Sequence, residues 1–284
     1  MPFVQAGGVR LHYIQEGDGP DVVLLHGVTA NLAVWMFNHT VATLSKTYRV
    51  TAYDLRGHGA SEVTASGYTS DSMARDLYAL AEVLKLGRAV LVGHSFGAVV
   101  ATHAAVLQPE RVSGLIVSDP YYPGLFAVEP NYRKSRLWSK VVGALAPFGI
   151  DLREEIDFAA LFNAVAQLTP DQVDGIRKAM GVGYARWLEQ LIQLAHTTCG
   201  TDAFQEAGLT RERIENLRVP VVALYDEHTE FAATRAFLEA NLKDCVTEVV
   251  PGARHLAPIE AGPVFNELLM KYLERLHAPA REVA

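Results

Sequence analysis

The chain is poor in several things, and each shortage closes off a class of function. Its only cysteines, Cys199 and Cys245, are too few and too far apart for a disulfide framework or a zinc motif, so both are expected to be reduced thiols. No apolar stretch approaches the length of a membrane span. The segment Met1-Pro2-Phe3-Val4-Gln5 also lacks the basic start and apolar core of a secretory signal, so a cytoplasmic protein without membrane contact is expected. Basic charge is short as well. The net charge is −7 and no run of Lys or Arg offsets it locally, which argues against a nucleic-acid partner and favours small neutral or apolar ligands. There is no internal repeat and no low-complexity tract. What remains is a chain of 284 residues, half apolar and one-fifth charged, long enough to bury a substantial core.

The most informative segment is Gly93-His94-Ser95-Phe96-Gly97. An apolar run, Ala89-Val90-Leu91-Val92, precedes it, and a helix-like stretch from Ala98 to Leu107 follows. Ser95 is therefore expected at a strand-to-helix turn, with glycines where Cβ atoms would collide with backbone. A helix beginning beside the hydroxyl offers unpaired N–H groups and a positive dipole end to an oxyanion.

Around this turn, apolar runs alternate with helical periodicity, which predicts a mostly parallel sheet. A hairpin-like pair at 3–5 and 11–15 opens the chain. Strands are expected at 22–25, 49–53, 112–117, 219–224 and 247–250, with helices near 32–44 and 70–86 and a closing helix at 261–276. From Tyr121 to Arg213 the pattern is helical and strand-free. That is too long for an ordinary connection, so a lid or cap is expected there, between core segments 1–120 and 214–284.

With the motifs in place, the chain resembles the α/β-hydrolase superfamily, as a serine hydrolase with a cap after the sixth strand. Besides the elbow, the pieces that carry the likeness are His26-Gly27, Asp54-Leu55-Arg56-Gly57-His58-Gly59 and Gly252-Ala253-Arg254-His255. The resemblance implies an α/β fold with a mostly parallel eight-stranded sheet flanked by helices and bearing a helical cap. It also implies that Ser95 attacks, that His255 takes its proton, and that the backbone N–H groups of Val28 and Phe96 hold the oxyanion. No cofactor or metal is expected.

Chemistry favours the same residues. A serine hydroxyl needs a base, and an imidazole titrates close enough to neutrality to take the proton and return it. His255 stands just beyond the last strand, where ligands bind in such sheets. Each oxyanion donor is worth roughly 3–4 kcal/mol of barrier. His94 is expected to pack against the sheet, Arg56 and His58 to make structural hydrogen bonds, and His26 to order the oxyanion loop at the edge of the substrate pocket. Tyr121, Tyr122, Phe126, Trp138, Phe162, Tyr184 and Trp187 are candidates to line an acyl pocket or to fill the cap core, with Trp138 and Trp187 singled out for the pocket.

One position departs from the family. Relatives typically carry Gly-Glu-x-Asp after the seventh strand, whereas this chain reads Asp226-Glu227-His228-Thr229, and Thr229 supplies no charge. A carboxylate is still needed to hold the histidine tautomer and to stabilise the imidazolium. Asp119, in Val117-Ser118-Asp119-Pro120 at the end of the sixth strand, is the choice, because some family members place their acid there; Asp226 and Glu230 are the alternatives. The expected reaction is hydrolysis of a carboxylic ester or thioester of a small apolar acyl group through an acyl-enzyme. C–C-bond hydrolases, haloperoxidases, lyases, acyltransferases and a ligand receptor that keeps the pocket remain open.

Overall fold

A computed structural model describes residues 2–129 and 135–277, the side chains of residue 137 and residues 180–185 excepted. Eight strands form one sheet: β1 (Phe3–Ala6), β2 (Val9–Glu16), β3 (Asp21–Leu25), β4 (Arg49–Tyr53), β5 (Ala89–His94), β6 (Val112–Ser118), β7 (Val221–Asp226) and β8 (Cys245–Val250). Their spatial order is β1-β2-β4-β3-β5-β6-β7-β8. The pairings β1 with β2 and β2 with β4 are antiparallel, and the other five are parallel.

The parallel strands are apolar almost without interruption because both of their faces are covered. In β3, Val22 and Leu24 pack into the core on one side and Val23 and Leu25 into the core on the other; β5 divides Val90 and Val92 from Ala89 and Leu91 in the same way. This is the period-two alternation of a pleated strand. One layer contains the helices Ser70–Val83 and Phe96–Leu107 and the other the helix Gly262–His277.

Among the described residues, everything between β6 and β7 is helical or irregular, including the long helix Pro170–Leu194. That helix starts with a capping box in which Thr169 and Gln172 satisfy one another's backbone N–H groups. No helix among the described residues is long and apolar enough to cross a membrane.

The helix expected over 32–44 is two short helices instead, Val34–Phe37 and Thr40–Leu44. They break at His39, which has φ of 57°. The cause is tertiary. The Asn38 side chain donates to the carbonyls of Pro258 and Ile259, and Asn266 donates back to the Asn38 carbonyl, so the bend is pinned by residues more than two hundred positions away.

The parallel strands run the same way, so their carboxyl ends collect on one edge. Because β4 and β5 flank β3 on opposite sides, the chain reverses direction of travel there and leaves a crevice. The segments after β3, β5, β6, β7 and β8 all open toward it.

Candidate active site

Ser95 occupies the turn between β5 and the helix Phe96–Leu107, with φ 53° and ψ −122°. A non-glycine residue rarely adopts this conformation, and it is retained only where its surroundings enforce it. Here the enforcement is visible. The Ser95 N–H donates to the Ser118 carbonyl at 2.9 Å, fastening the turn to β6. A Cβ on Gly93 would lie 2.5 Å from the backbone of Ala98, and one on Gly97 would lie 2.3 Å from the Leu25 carbonyl oxygen. Only glycine lets these backbones approach so closely.

His255, in the loop after β8, faces the serine. Its Nε2 is 3.2 Å from Ser95 Oγ, and its Nδ1 is 2.7 Å from Asp119 Oδ2. Asp119 is fully buried directly after β6, at φ 46°, and its N–H donates to the Leu224 carbonyl, so the turn that aims its side chain is tied to β7. Burial alone would lower the His255 ring, but the bond to Asp119 and its charge, with Asp226 and Glu230 behind it, more than offset this and raise it above the ordinary histidine value.

The other two carboxylates are placed differently. Glu230 accepts from the Arg136 N–H at 2.6 Å and pairs with its guanidinium, so it serves the helical insertion. Asp226 is buried at the end of β7 and contributes its backbone N–H to Asp119 Oδ1 at 3.4 Å. Thr229 uses its hydroxyl to accept the Phe231 N–H in the turn after β7.

Val28 and Phe96 lie on the loops after β3 and β5, and among the described residues neither N–H has a protein acceptor. Phe96 is the first residue of its helix, where the N–H has no intrahelical partner. His26 is not at the pocket surface. It is fully buried, its Nδ1 bonds the Gly27 carbonyl, and its Nε2 accepts the Leu55 N–H. That pattern requires a neutral ring with the proton on Nδ1, consistent with burial lowering its pKa. It pins the loop after β3 to the segment after β4. Asp54 reinforces this by accepting the N–H groups of Leu32 and Ala60 and bonding His12. Arg56 forms a two-pronged pair with Asp76 on the helix Ser70–Val83.

The two tryptophans separate. Trp187 is half-buried, and its indole N–H donates to the Thr29 hydroxyl at 3.2 Å, joining the insertion to the residue after Val28. Trp138 is only 3% exposed. Its indole N–H donates to the Arg153 carbonyl and its ring leans on Phe158, so it belongs to the insertion's own core. Phe162 is buried there too, and the Tyr184 side chain falls outside the described residues. Phe231 meets the His255 ring edge-on and contacts Tyr121, forming an apolar wall beside the imidazole.

Two contacts went unread in the sequence, where His94 was expected only to pack against the sheet. His94 bonds the His255 carbonyl through Nε2 at 2.6 Å, clamping the loop after β8 onto the turn after β5, and burial followed by the His255 charge lowers its pKa to about 4. Glu260 accepts the N–H groups of Arg254, His255 and Leu256. A carboxylate shortly after a strand-end histidine is the only sequence signal for the second, and nothing local signals the first.

A mostly parallel eight-stranded sheet with a serine on the tight turn after β5 is the fold of the α/β-hydrolase superfamily, and the chain has that fold. The family model described as alpha/beta hydrolase fold matches residues 20–152. The chain is 28% identical over 285 residues to a putative non-heme chloroperoxidase of Synechocystis, covering 96% of this chain and all of that one. Among solved structures it is similar to an N-formylmaleamic acid deformylase from Pseudomonas putida S16, at 26% identity and a TM-score of 0.66 over 94% of this chain and 99% of the other. A thermophilic esterase from Thermogutta terrifontis shares the fold with a TM-score of 0.68 at 22% identity, over 98% and 99% of the two chains.

Proposed function

We propose that this protein is a serine hydrolase that cleaves a carboxylic ester or thioester of a small, largely apolar acyl group through an acyl-enzyme. The observation that carries this reading is the unbroken chain from Ser95 Oγ through the His255 ring to the buried Asp119 carboxylate.

In the resting state Nδ1–H donates to Asp119, which leaves Nε2 free to accept the serine proton as Oγ attacks the carbonyl carbon. The imidazolium formed in that step is balanced by Asp119. The N–H groups of Val28 and Phe96 receive the developing oxyanion, each worth about 2.7–4 kcal/mol. His255 then protonates the departing alcohol or thiol. A water molecule, deprotonated by the same ring, releases the acid. A serine at the turn, rather than a carboxylate, means the covalent intermediate is an acyl ester of the enzyme and not an alkyl ester.

In this reading residues 121–213 act as a cap over a core made of 1–120 and 214–284. Substrate choice is set where the cap meets the oxyanion loop, at Trp187. One second reading has a specific observation behind it. The similarity to a deformylase spans nearly the full length of both chains, and a formamide is opened by the same attack, proton transfer and oxyanion contacts.

The test is a panel of p-nitrophenyl esters, acyl thioesters and N-formyl amides assayed with the wild type and Ser95→Ala. Turnover of one class that vanishes in the variant supports the proposal and selects between the two readings. Turnover that persists in Ser95→Ala overturns both.

A further inference from the structure

β6 and β7 are parallel neighbours that end side by side, with Ser118 paired to Leu224. In this chain each of those ends carries an acid. Asp119 follows β6 and bonds the imidazole. Asp226, the last residue of β7, is 1% exposed, and its backbone N–H leans on the Asp119 carboxylate. Neither Asp226 side-chain oxygen has a hydrogen-bond partner among the described residues. A buried carboxylate without a donor is costly, because an unpaired charge loses its hydration and gains nothing in return. The alternate residue, Tyr225, faces the opposite core.

We infer that Asp226 is a second acid of this site, a positioning residue whose charge beside Asp119 sets how firmly His255 holds its proton. The inference rests on the reading of Ser95 and His255 as nucleophile and base.

The groups facing Asp226 are Asp119 after β6, His255 in the loop after β8 and Glu260 on the short helix Ala257–Glu260. Burial pushes the Asp226 carboxyl up to about 7, Asp119 and Glu260 act the same way, and the His255 charge opposes them. The nearby Ala257 N–H, which forms no hydrogen bond to it of ordinary geometry, opposes them least. Around His255 the arrangement is mirrored: Asp119, Asp226 and Glu230 all favour its protonated form.

The protonation of Asp226 and that of His255 therefore depend on one another. A proton on the ring favours the ionised acid, and an ionised acid favours the protonated ring. Two such groups titrate as a pair, in two steps that belong to neither alone. While Asp226 is neutral it adds no second charge beside Asp119. Once ionised, it supports the imidazolium that forms during attack. Removing its charge leaves the ring easier to deprotonate.

The experiment is the rate of covalent labelling of Ser95 by a fluorophosphonate as a function of pH, followed by intact mass, in the wild type, Asp226→Asn and Asp226→Ser. Labelling needs the neutral imidazole and no knowledge of the natural substrate. The wild-type acidic limb should be broader than a one-proton titration. In both variants it should sharpen to one proton and move to lower pH by about one unit, the coupling at which two sites titrate together. Profiles that superimpose on the wild type, with Ser95 labelled in all three, overturn the inference and leave the hydrolase reading standing. No labelling of the wild type overturns both. If neither variant folds, a wild-type limb that fits a single proton overturns the inference by itself.

Discussion

Replacing Asp119 with Asn is the sharpest perturbation of the proposed catalytic chain, because the side chain keeps its shape and loses only its charge and acceptor character. Asp119 is fully buried and its Oδ2 lies 2.7 Å from His255 Nδ1, so the bond is charge-assisted and shielded from water. Such a bond contributes about 1.5–3 kcal/mol, which is roughly 10- to 160-fold in rate. The amide adds a second loss. Its NH₂ can donate to Nδ1, which moves the ring proton to Nε2 and leaves nothing to accept the serine proton, and no charge remains to balance the imidazolium. Together these bring the expected fall in kcat to as much as about 10⁴-fold, near 5.4 kcal/mol. The assay is steady-state turnover of the best ester in the panel, with circular dichroism to show that the fold persists. Glu230→Gln is the matched control. Glu230 already serves Arg136 at the edge of the insertion, so its loss should cost less than about 1 kcal/mol, or fivefold. A large loss in Glu230→Gln with none in Asp119→Asn would refute the assignment of the acid.

Turnover in the wild type should fall as the pH drops through a value above the ordinary histidine pKa of 6.5, because the His255 ring is raised by Asp119 and only its neutral form accepts the serine proton; a kcat/KM profile measures this directly. Trp187→Phe removes the donor to Thr29 and should lower kcat/KM by about 2- to 12-fold, the worth of one hydrogen bond. Trp187→Ala should change the ranking of acyl lengths, at about 1–3 kcal/mol per methylene. Trp138→Ala should instead cost about 3–5 kcal/mol of stability, measured by urea unfolding, with the ranking preserved. Arg56→Ala strands the buried Asp76 carboxylate and should destabilise the fold by about 3–5 kcal/mol in the same assay.

The sheet was legible in the sequence because its strands are apolar runs bounded by glycine, proline and charge, and a strand buried on both faces needs little else. The helix expected over 32–44 was misdrawn because its break at His39 is imposed by Pro258, Ile259 and Asn266, which no local pattern records. The spacing of the motifs brought forward Ser95, His255 and the strand-end Asp119, since each stands where a strand gives way to a loop. The tether from His94 to the His255 carbonyl joins residues 161 positions apart, and Asp226, in the sequence only an alternative acid, stands next to Asp119 because β7 pairs with β6. Aromatic identity could not divide Trp138 from Trp187, because a ring that fills a core and a ring that lines an opening are the same residue until its neighbours are known. His26 was expected at the pocket edge, and its full burial takes it off that edge and into the packing between the loop after β3 and the segment after β4.

The proposed chemistry stands or falls with Ser95 as the nucleophile, activated by His255 at the elbow turn. The most direct measurement is intact mass and peptide mapping after brief exposure to a fluorophosphonate, with the wild type beside Ser95→Ala and His255→Ala. A single adduct that maps to Ser95 is expected on the wild type, with none on Ser95→Ala and labelling of His255→Ala slowed by at least about 10²-fold, as when a general base is removed. An adduct of equal yield on Ser95→Ala, or a wild type that takes none, would contradict it.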